Sequence, residues 1–213
     1  MYYRPGSPAH GLRASLCAAP DGFVSNVSGS LLRDRRLVAQ NTFFSIYFDH
    51  LRYPNGHEVF DYLSILPRTL TADGLSGVSV LPEVNGKICL LRMTRHPLGT
   101  TCWEAPRGFI DPQESPVAAA QRELKEETGL DATAARLIPL GILAPAPGVL
   151  AARLQLFAAM DCLDNSKPEG CDPGHHEFRF FSLMEIEQLV KNNKIQDPCT
   201  LVSYYRYRRI KEK

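Results

Sequence analysis

No stretch of this chain is apolar for the roughly 20 residues needed to cross a bilayer, so a membrane-spanning segment is not expected. The start of the chain has no basic stretch followed by an apolar core, which argues against a secretory leader. There is little charge imbalance either. The formal net charge is +1, too small for a bulk electrostatic case for nucleic acid or a membrane surface. Six cysteines are present (Cys17, Cys89, Cys102, Cys162, Cys171 and Cys199), but they form no Cys-x-x-C pair and no Cys/His spacing of a zinc site. Thiols are therefore expected rather than disulfides, and the protein is read as cytoplasmic. No internal repeat is visible. What remains is ordinary: 213 residues, 44% hydrophobic and 22% charged, which suits one globular domain with appendages.

Residues 1–37 are rich in Gly, Pro, Ser and Ala with little periodicity, and are expected to form a flexible extension ahead of a domain spanning 38–213. Order is expected to begin near Asn41. Residues 42–53 are aromatic and β-branched, Pro54-Asn55-Gly56 marks a turn, and 57–67 resumes the pattern, which predicts a hairpin. Residues 76–82 and 87–94 read as two strands joined through Asn85-Gly86. Residues 135–143 and 154–160 read as further strands, separated by a proline-stiffened loop at 144–148. Residues 164–176 read as loop and 178–181 as a short strand. Ser182 and Glu185 have capping-box spacing and open a helix to about Lys191. A last helix starts at Asp197-Pro198. Strands, one helix, more strands and then helices imply a mixed sheet covered on both faces.

The segment 108–130 reads GFIDPQESPVAAAQRELKEETGL. Ser115 suits an N-cap, Pro116 the first helical position and Gly129 the C-terminal stop, so a helix over 116–128 is predicted. At roughly 100° per residue, Glu123, Glu126 and Glu127 fall within an arc of about 100°. Val117, Ala120 and Leu124 form an adjacent apolar stripe. Three like charges on one arc repel, and a helix tolerates them best when something positive sits there. Mg²⁺ or Mn²⁺ meets that need, because hard cations take carboxylate oxygen and several carboxylates can hold more than one ion. A bare E-x-x-E-E read alone would be no more than a solvated charged face.

The whole segment resembles the Nudix box, G-x5-E-x7-R-E-U-x-E-E-x-G-U with U aliphatic. Gly108, Glu114, Arg122, Glu123, Leu124, Glu126, Glu127, Gly129 and Leu130 fill its fixed positions in order. The resemblance implies an α/β fold, a Nudix-type α/β/α sandwich with a mixed sheet plus a small N-terminal antiparallel sheet. It implies hydrolysis of a nucleoside diphosphate linked to another group, with Mg²⁺ or Mn²⁺ as cofactor in two or three copies. Glu123, Glu126 and Glu127 are then metal ligands. Glu114 ligates directly or through water, and Gly108 lets the backbone approach the metal closely. Arg122 either orients the glutamates or forms a surface salt bridge.

Outside the box, residues 41–53 and the run 91–97 resemble ADP-ribose pyrophosphatases, where an arginine at the place of Arg95 contacts substrate phosphate. Pro145, 15 residues beyond Leu130, has the spacing of that subfamily. The implied products are AMP and ribose 5-phosphate. Two departures leave the substrate open. Arg107 stands where many ADP-ribose enzymes have a small residue; it either reaches a phosphate or contributes only its backbone carbonyl to a metal. The loop 147–153 lacks the acidic residues that often follow the proline. The alternatives are hydrolysis of NADH, a dinucleoside polyphosphate or a GDP-sugar, and, from another class, a non-catalytic nucleotide-binding module. Glu177 is the nearest candidate general base and Glu169 its rival. Phe43, Phe44, Tyr47 and Trp103 are available to stack on adenine or to pack in the core, with Phe44 taken as the substrate-binding candidate. Related dimers exchange N-terminal strands, so residues 41–67 are expected to complete a partner's site in a homodimer. The partner is a small nucleotide; neither nucleic acid nor membrane is expected. The basic tail 206–213 reads as the charged end of a terminal helix.

Overall fold

A computed structural model describes residues 31–164, Pro168 and 174–212. Three strands form a separate antiparallel sheet: β1 (Leu31–Gln40), β2 (Phe44–Arg52) and β3 (Glu58–Pro67), in that order. The hairpin expected over 42–67 is β2–β3, closed by a turn in which Gly56 takes a φ of 82°. Strand β1 was not expected. Order begins at least ten residues before Asn41, and residues 31–37, read as extension, pair with β2 from Leu31↔Arg52 onward. The strand escaped notice because charges interrupt its apolar residues, as suits an edge strand. One of those charges is fixed: Arg35 forms a bidentate pair with buried Asp49, both contacts at 2.8 Å. Residues 1–30 lie outside the described residues.

The main sheet is mixed. Its strands are β4 (Gly77–Val84), β5 (Lys87–Arg95), β6 (Thr100–Glu104), β7 (Arg107–Phe109), β9 (Leu137–Leu143), β10 (Leu154–Ala159) and β12 (His175–Phe181), ordered β12-β5-β4-β10-β9. Strand β6 pairs with β5 and β7 with β4. The β4–β10 pair is parallel and the other pairings are antiparallel. Short strands β8 (Leu130–Asp131) and β11 (Leu163–Asp164) pair beside it. Asn85 and Gly86, at φ 50° and 76°, make the tight β4–β5 turn that Asn-Gly predicts, since both central residues must adopt positive φ. Strands β6 and β7 were not expected, being only five and three residues long.

Helix α1 (Pro116–Thr128) lies on one face of this sheet; α2 (Leu183–Lys191) and α3 (Pro198–Lys211) lie on the other. Strand alternation sorts the core accordingly. Val78, Val80, Cys89, Phe157 and Ala159 face Ala119, Ala120 and Leu124 of α1. Leu81, Ile88, Leu90, Leu156 and Ala158 face Ile186, Cys199 and Tyr204. The result is the α/β/α sandwich expected from the sequence, with its small N-terminal sheet. No helix among the described residues is long and apolar enough to cross a membrane.

The N-terminal sheet packs on its own chain. Phe43 stacks on Phe109 of β7 with ring centroids 4.9 Å apart, and Phe44 meets Phe109 edge-on at 5.7 Å. On its other flank, Ile65 N–H donates to Val149 O at 2.8 Å and Ala151 N–H to Ile65 O at 2.9 Å, tying β3 to the loop that follows β9.

Candidate active site

Helix α1 is bounded as its sequence requires. Ser115 Oγ accepts from Ala118 N–H at 3.1 Å, Pro116 occupies the first turn, and Gly129 closes the helix in the left-handed conformation at φ 73°. Before it, Glu114 bends the chain back. Its carboxylate accepts from Asp111 N–H at 3.0 Å, across a turn that places Gln113 at φ 69°. A cleft of about 280 Å³ opens beside Glu114, between residues 70–72 and 111–115.

The positive charge that the glutamate arc calls for is Arg122. Its Nε and Nη2 donate to the two oxygens of Glu114 at 3.1 and 3.0 Å. Its Nη1 donates to Glu123 Oε1 at 2.7 Å and to Glu126 Oε2 at 3.3 Å, and Nη2 also reaches Phe109 O at 2.9 Å. One guanidinium therefore gathers three carboxylates in charge-assisted contacts, a geometry that can fix their rotamers. The hydrogen bond from Arg122 is the main cause that holds the Glu114 carboxyl below its ordinary value, and Glu114 in turn raises the Arg122 pKa. Glu127 joins from the other side, with Oε2 accepting from Arg107 N–H at 3.0 Å. Glu123 and Glu127 are each only 8% exposed.

Gly108 has a spatial reason to be glycine. A Cβ there would overlap the Glu123 carboxylate. Three carboxylates around one guanidinium and a fourth, Glu127, on the Arg107 amide, with a bare backbone against Glu123, suit a hard divalent cation in donor chemistry and in space. Among the described residues, no three His, Cys, Asp or Glu side chains already converge as a ligand set, because the carboxylates are turned onto Arg122 and the Arg107 amide.

The remaining expected residues are placed as follows. Arg107 is neither a surface side chain nor an open one. Its Nη1 donates to Asp197 Oδ1 at 2.7 Å and its Nη2 to Glu104 Oε2 at 3.1 Å. Burial opposes its charge, but Asp197 and Glu104 outweigh that and its pKa is raised. Arg95 donates to the same Glu104 oxygen at 2.8 Å. Glu177 is not brought to the box. It is exposed on β12, two strands from β4, with Arg92 as its ion-pair partner at 3.1 Å. Glu169 lies outside the described residues. Pro145 sits partly buried in the loop after β9. Trp103 packs edge-on against Phe181 at 4.8 Å, and Tyr47 lies under Arg35 at 4.9 Å. Sequence reasoning passed over Glu104, Asp197 and Phe109. Glu104 could have been noticed as a lone acid facing inward from a β-rich run just before the box. Asp197 was visible only as the opening of a helix.

The NUDIX domain family matches residues 75–201. The ADP-sugar pyrophosphatase of Mus musculus is 35% identical over 126 residues, 58% of this chain and 55% of that protein. The ADP-ribose pyrophosphatase of Mycobacterium tuberculosis is 30% identical over 135 residues, 63% of this chain and 59% of that one. The aligned part thus spans less than two thirds of either relative. A crystal structure of an ADP compounds hydrolase superposes with a TM-score of 0.72 at 23% identity, over 88% of this chain and 97% of that one, a likeness of fold.

Proposed function

The chain belongs to the NUDIX domain family, and on that premise we propose that it hydrolyses the pyrophosphate bond of a nucleoside diphosphate derivative, with ADP-ribose as substrate and AMP and ribose 5-phosphate as products. The observation that carries this reading is Arg122 gripping Glu123 and Glu126 of α1 together with Glu114 just before it, with the Glu123 carboxylate lying against bare Gly108. Members of the family generally use divalent cations such as Mg²⁺. We assign Glu114, Glu123, Glu126 and Glu127, with the backbone at 107–108, to hold two or three Mg²⁺ or Mn²⁺ ions. When bound, such ions neutralise charge developing on phosphate oxygens and make water more acidic. Arg122 keeps the carboxylates in register, and the shallow cleft beside Glu114 leaves room for substrate. Arg95, which shares Glu104 with Arg107, is the residue we assign to a substrate phosphate. Phe43 and Phe44 beside Phe109, with the loop carrying Pro145, are the groups we assign to the base. ADP-ribose is favoured by the similarity to the ADP-ribose pyrophosphatase of Mycobacterium tuberculosis, and an ADP-linked sugar more broadly by that to the ADP-sugar pyrophosphatase of Mus musculus.

The protein is further proposed to act as a cytoplasmic homodimer. The N-terminal sheet exposes Leu37 at 50% and Phe60 at 63%, which suits a second copy, and the four described cysteines are buried thiols, which suits a reducing compartment. The test is a panel of ADP-ribose, ADP-sugars, NADH, dinucleoside polyphosphates and GDP-sugars with Mg²⁺ or Mn²⁺. ADP-ribose should be turned over fastest, and Glu126→Gln with Glu127→Gln should abolish turnover. Faster turnover of another compound would move the assignment to that substrate. Activity untouched by both substitutions would displace the hydrolase in favour of a binding module.

A further inference from the structure

We propose that Asp197 and Glu104, at the start of α3 and the end of β6, are positioning residues for the box. They clamp the Arg107 guanidinium and so hold the Arg107 peptide N–H on Glu127. The inference rests on the proposed hydrolysis and extends it to a second helix.

The geometry forms a continuous path. Asp197 uses both oxygens. Oδ2 caps α3, accepting from Thr200 N–H and Thr200 Oγ1 at 2.8 Å each, and Oδ1 takes the Arg107 guanidinium at 2.7 Å. Glu104 binds the other terminal nitrogen at 3.1 Å and is itself held by Arg95 at 2.8 Å. The acid side chains are only 4% and 5% exposed, so each arginine contact is charge-assisted and poorly screened. Ala105 N–H also donates to Thr200 Oγ1 at 2.8 Å, a second staple between the same two segments. Pro106 has no N–H, so the next peptide N–H along the chain is that of Arg107, on Glu127 Oε2 at 3.0 Å.

Strand β7 needs such a clamp. It has three residues and pairs with β4 over Gly77–Ser79 only, so its ladder fixes it weakly. A side chain sandwiched between two buried carboxylates supplies what the short ladder lacks. Both carboxylates meet Arg107 at its guanidinium end. Its charge is matched from behind, and its backbone faces the box.

Asp197→Asn keeps a capping oxygen for α3 and removes the charge opposite Arg107. Glu104→Gln tests the other arm and serves if the first variant does not fold. Three readouts apply. Amide exchange at Arg107 should accelerate about tenfold. Mn²⁺ affinity of the full chain without nucleotide, read by electron paramagnetic resonance, should weaken about tenfold, in the range of lost outer contacts at metal sites. With ADP-ribose, kcat should fall while KM stays within about twofold. The melting temperature should move only a few degrees. A raised KM with unchanged Mn²⁺ affinity would overturn the proposal and make Arg107 a substrate contact. Unchanged exchange and unchanged affinity would overturn it outright. If the unsubstituted chain binds no Mn²⁺, the hydrolase reading fails and takes the positioning role with it, whereas the exchange at Arg107 still reports whether the clamp exists.

Discussion

Glu123 stands so close to Gly108 that a Cβ at residue 108 would overlap its carboxylate. The glycine is therefore required by space, with no positive φ involved. What lies in the way is the far end of a flexible side chain, so an added methyl group would push the carboxylate aside and leave the backbone in place. Gly108→Ala should lower the melting temperature by less than about 3 °C, since under about 1 kcal/mol of strain is involved. It should lower Mn²⁺ affinity and kcat by at least about tenfold, because Glu123 can no longer meet Arg122 at 2.7 Å. Titration with Mn²⁺ beside a thermal melt checks both, and a variant that binds Mn²⁺ normally would show that Glu123 is no ligand.

Gly77 supplies the contrasting case. A Cβ there would meet Gly108 O at 2.6 Å, and that oxygen is backbone. Neither strand can yield without breaking the β4–β7 register Gly77↔Phe109. Gly77→Ala should cost about 1–3 kcal/mol, the range of an overpacked core. Denaturant unfolding measures it, and a loss below a few tenths of a kcal/mol would mean that β7 is not held against β4 as described.

The box helix was legible to the residue because each of its ends is set locally. Ser115, Pro116 and Gly129 act within one turn of themselves. The same holds for the Ser182/Glu185 capping box and the Asn85-Gly86 hairpin. Strand β1 was hidden because edge pairing asks little of sequence, and β7 because three residues carry no period. The Arg107 clamp was hidden for a different reason. Its partners lie 3 and 90 residues away, and only the fold brings Asp197 to Arg107. Glu177 drew notice because a carboxylate beside two histidines looks functional in one dimension; in the fold it lies exposed on β12 against Arg92.

Arg122→Gln tests the electrostatics of the box through pH. Arg122 holds the Glu114 carboxyl below its ordinary 4.5 in the folded chain. A depressed carboxyl contributes stability above its unfolded value, and the contribution is lost as pH falls through the folded value. The gap in melting temperature between the original chain and Arg122→Gln should thus be widest near pH 7 and narrow as pH drops below about 4.5. A gap that stays constant from pH 7 to about pH 3 would mean that Arg122 acts through packing alone.

Phe109 links the box to the N-terminal sheet, and its removal separates docking from folding. The ring is 37% exposed yet is stacked by Phe43 and met edge-on by Phe44. Aromatic pairs of this kind add about 0.5–1.5 kcal/mol beyond burial. The sheet retains its own β1–β2–β3 ladder and its tie from Ile65 to the loop after β9. Phe109→Ala should therefore loosen the sheet without melting the sandwich. Hydrogen exchange should quicken in β2 and β3 by about tenfold and stay unchanged in β4 and β10. If the same aromatic cluster receives the nucleobase, KM for ADP-ribose should rise in parallel while Mn²⁺ affinity holds, the reverse of the pattern expected for Gly108→Ala. Uniform acceleration across both sheets would instead make Phe109 part of one cooperative core, and the N-terminal sheet could not then be an independently docked element.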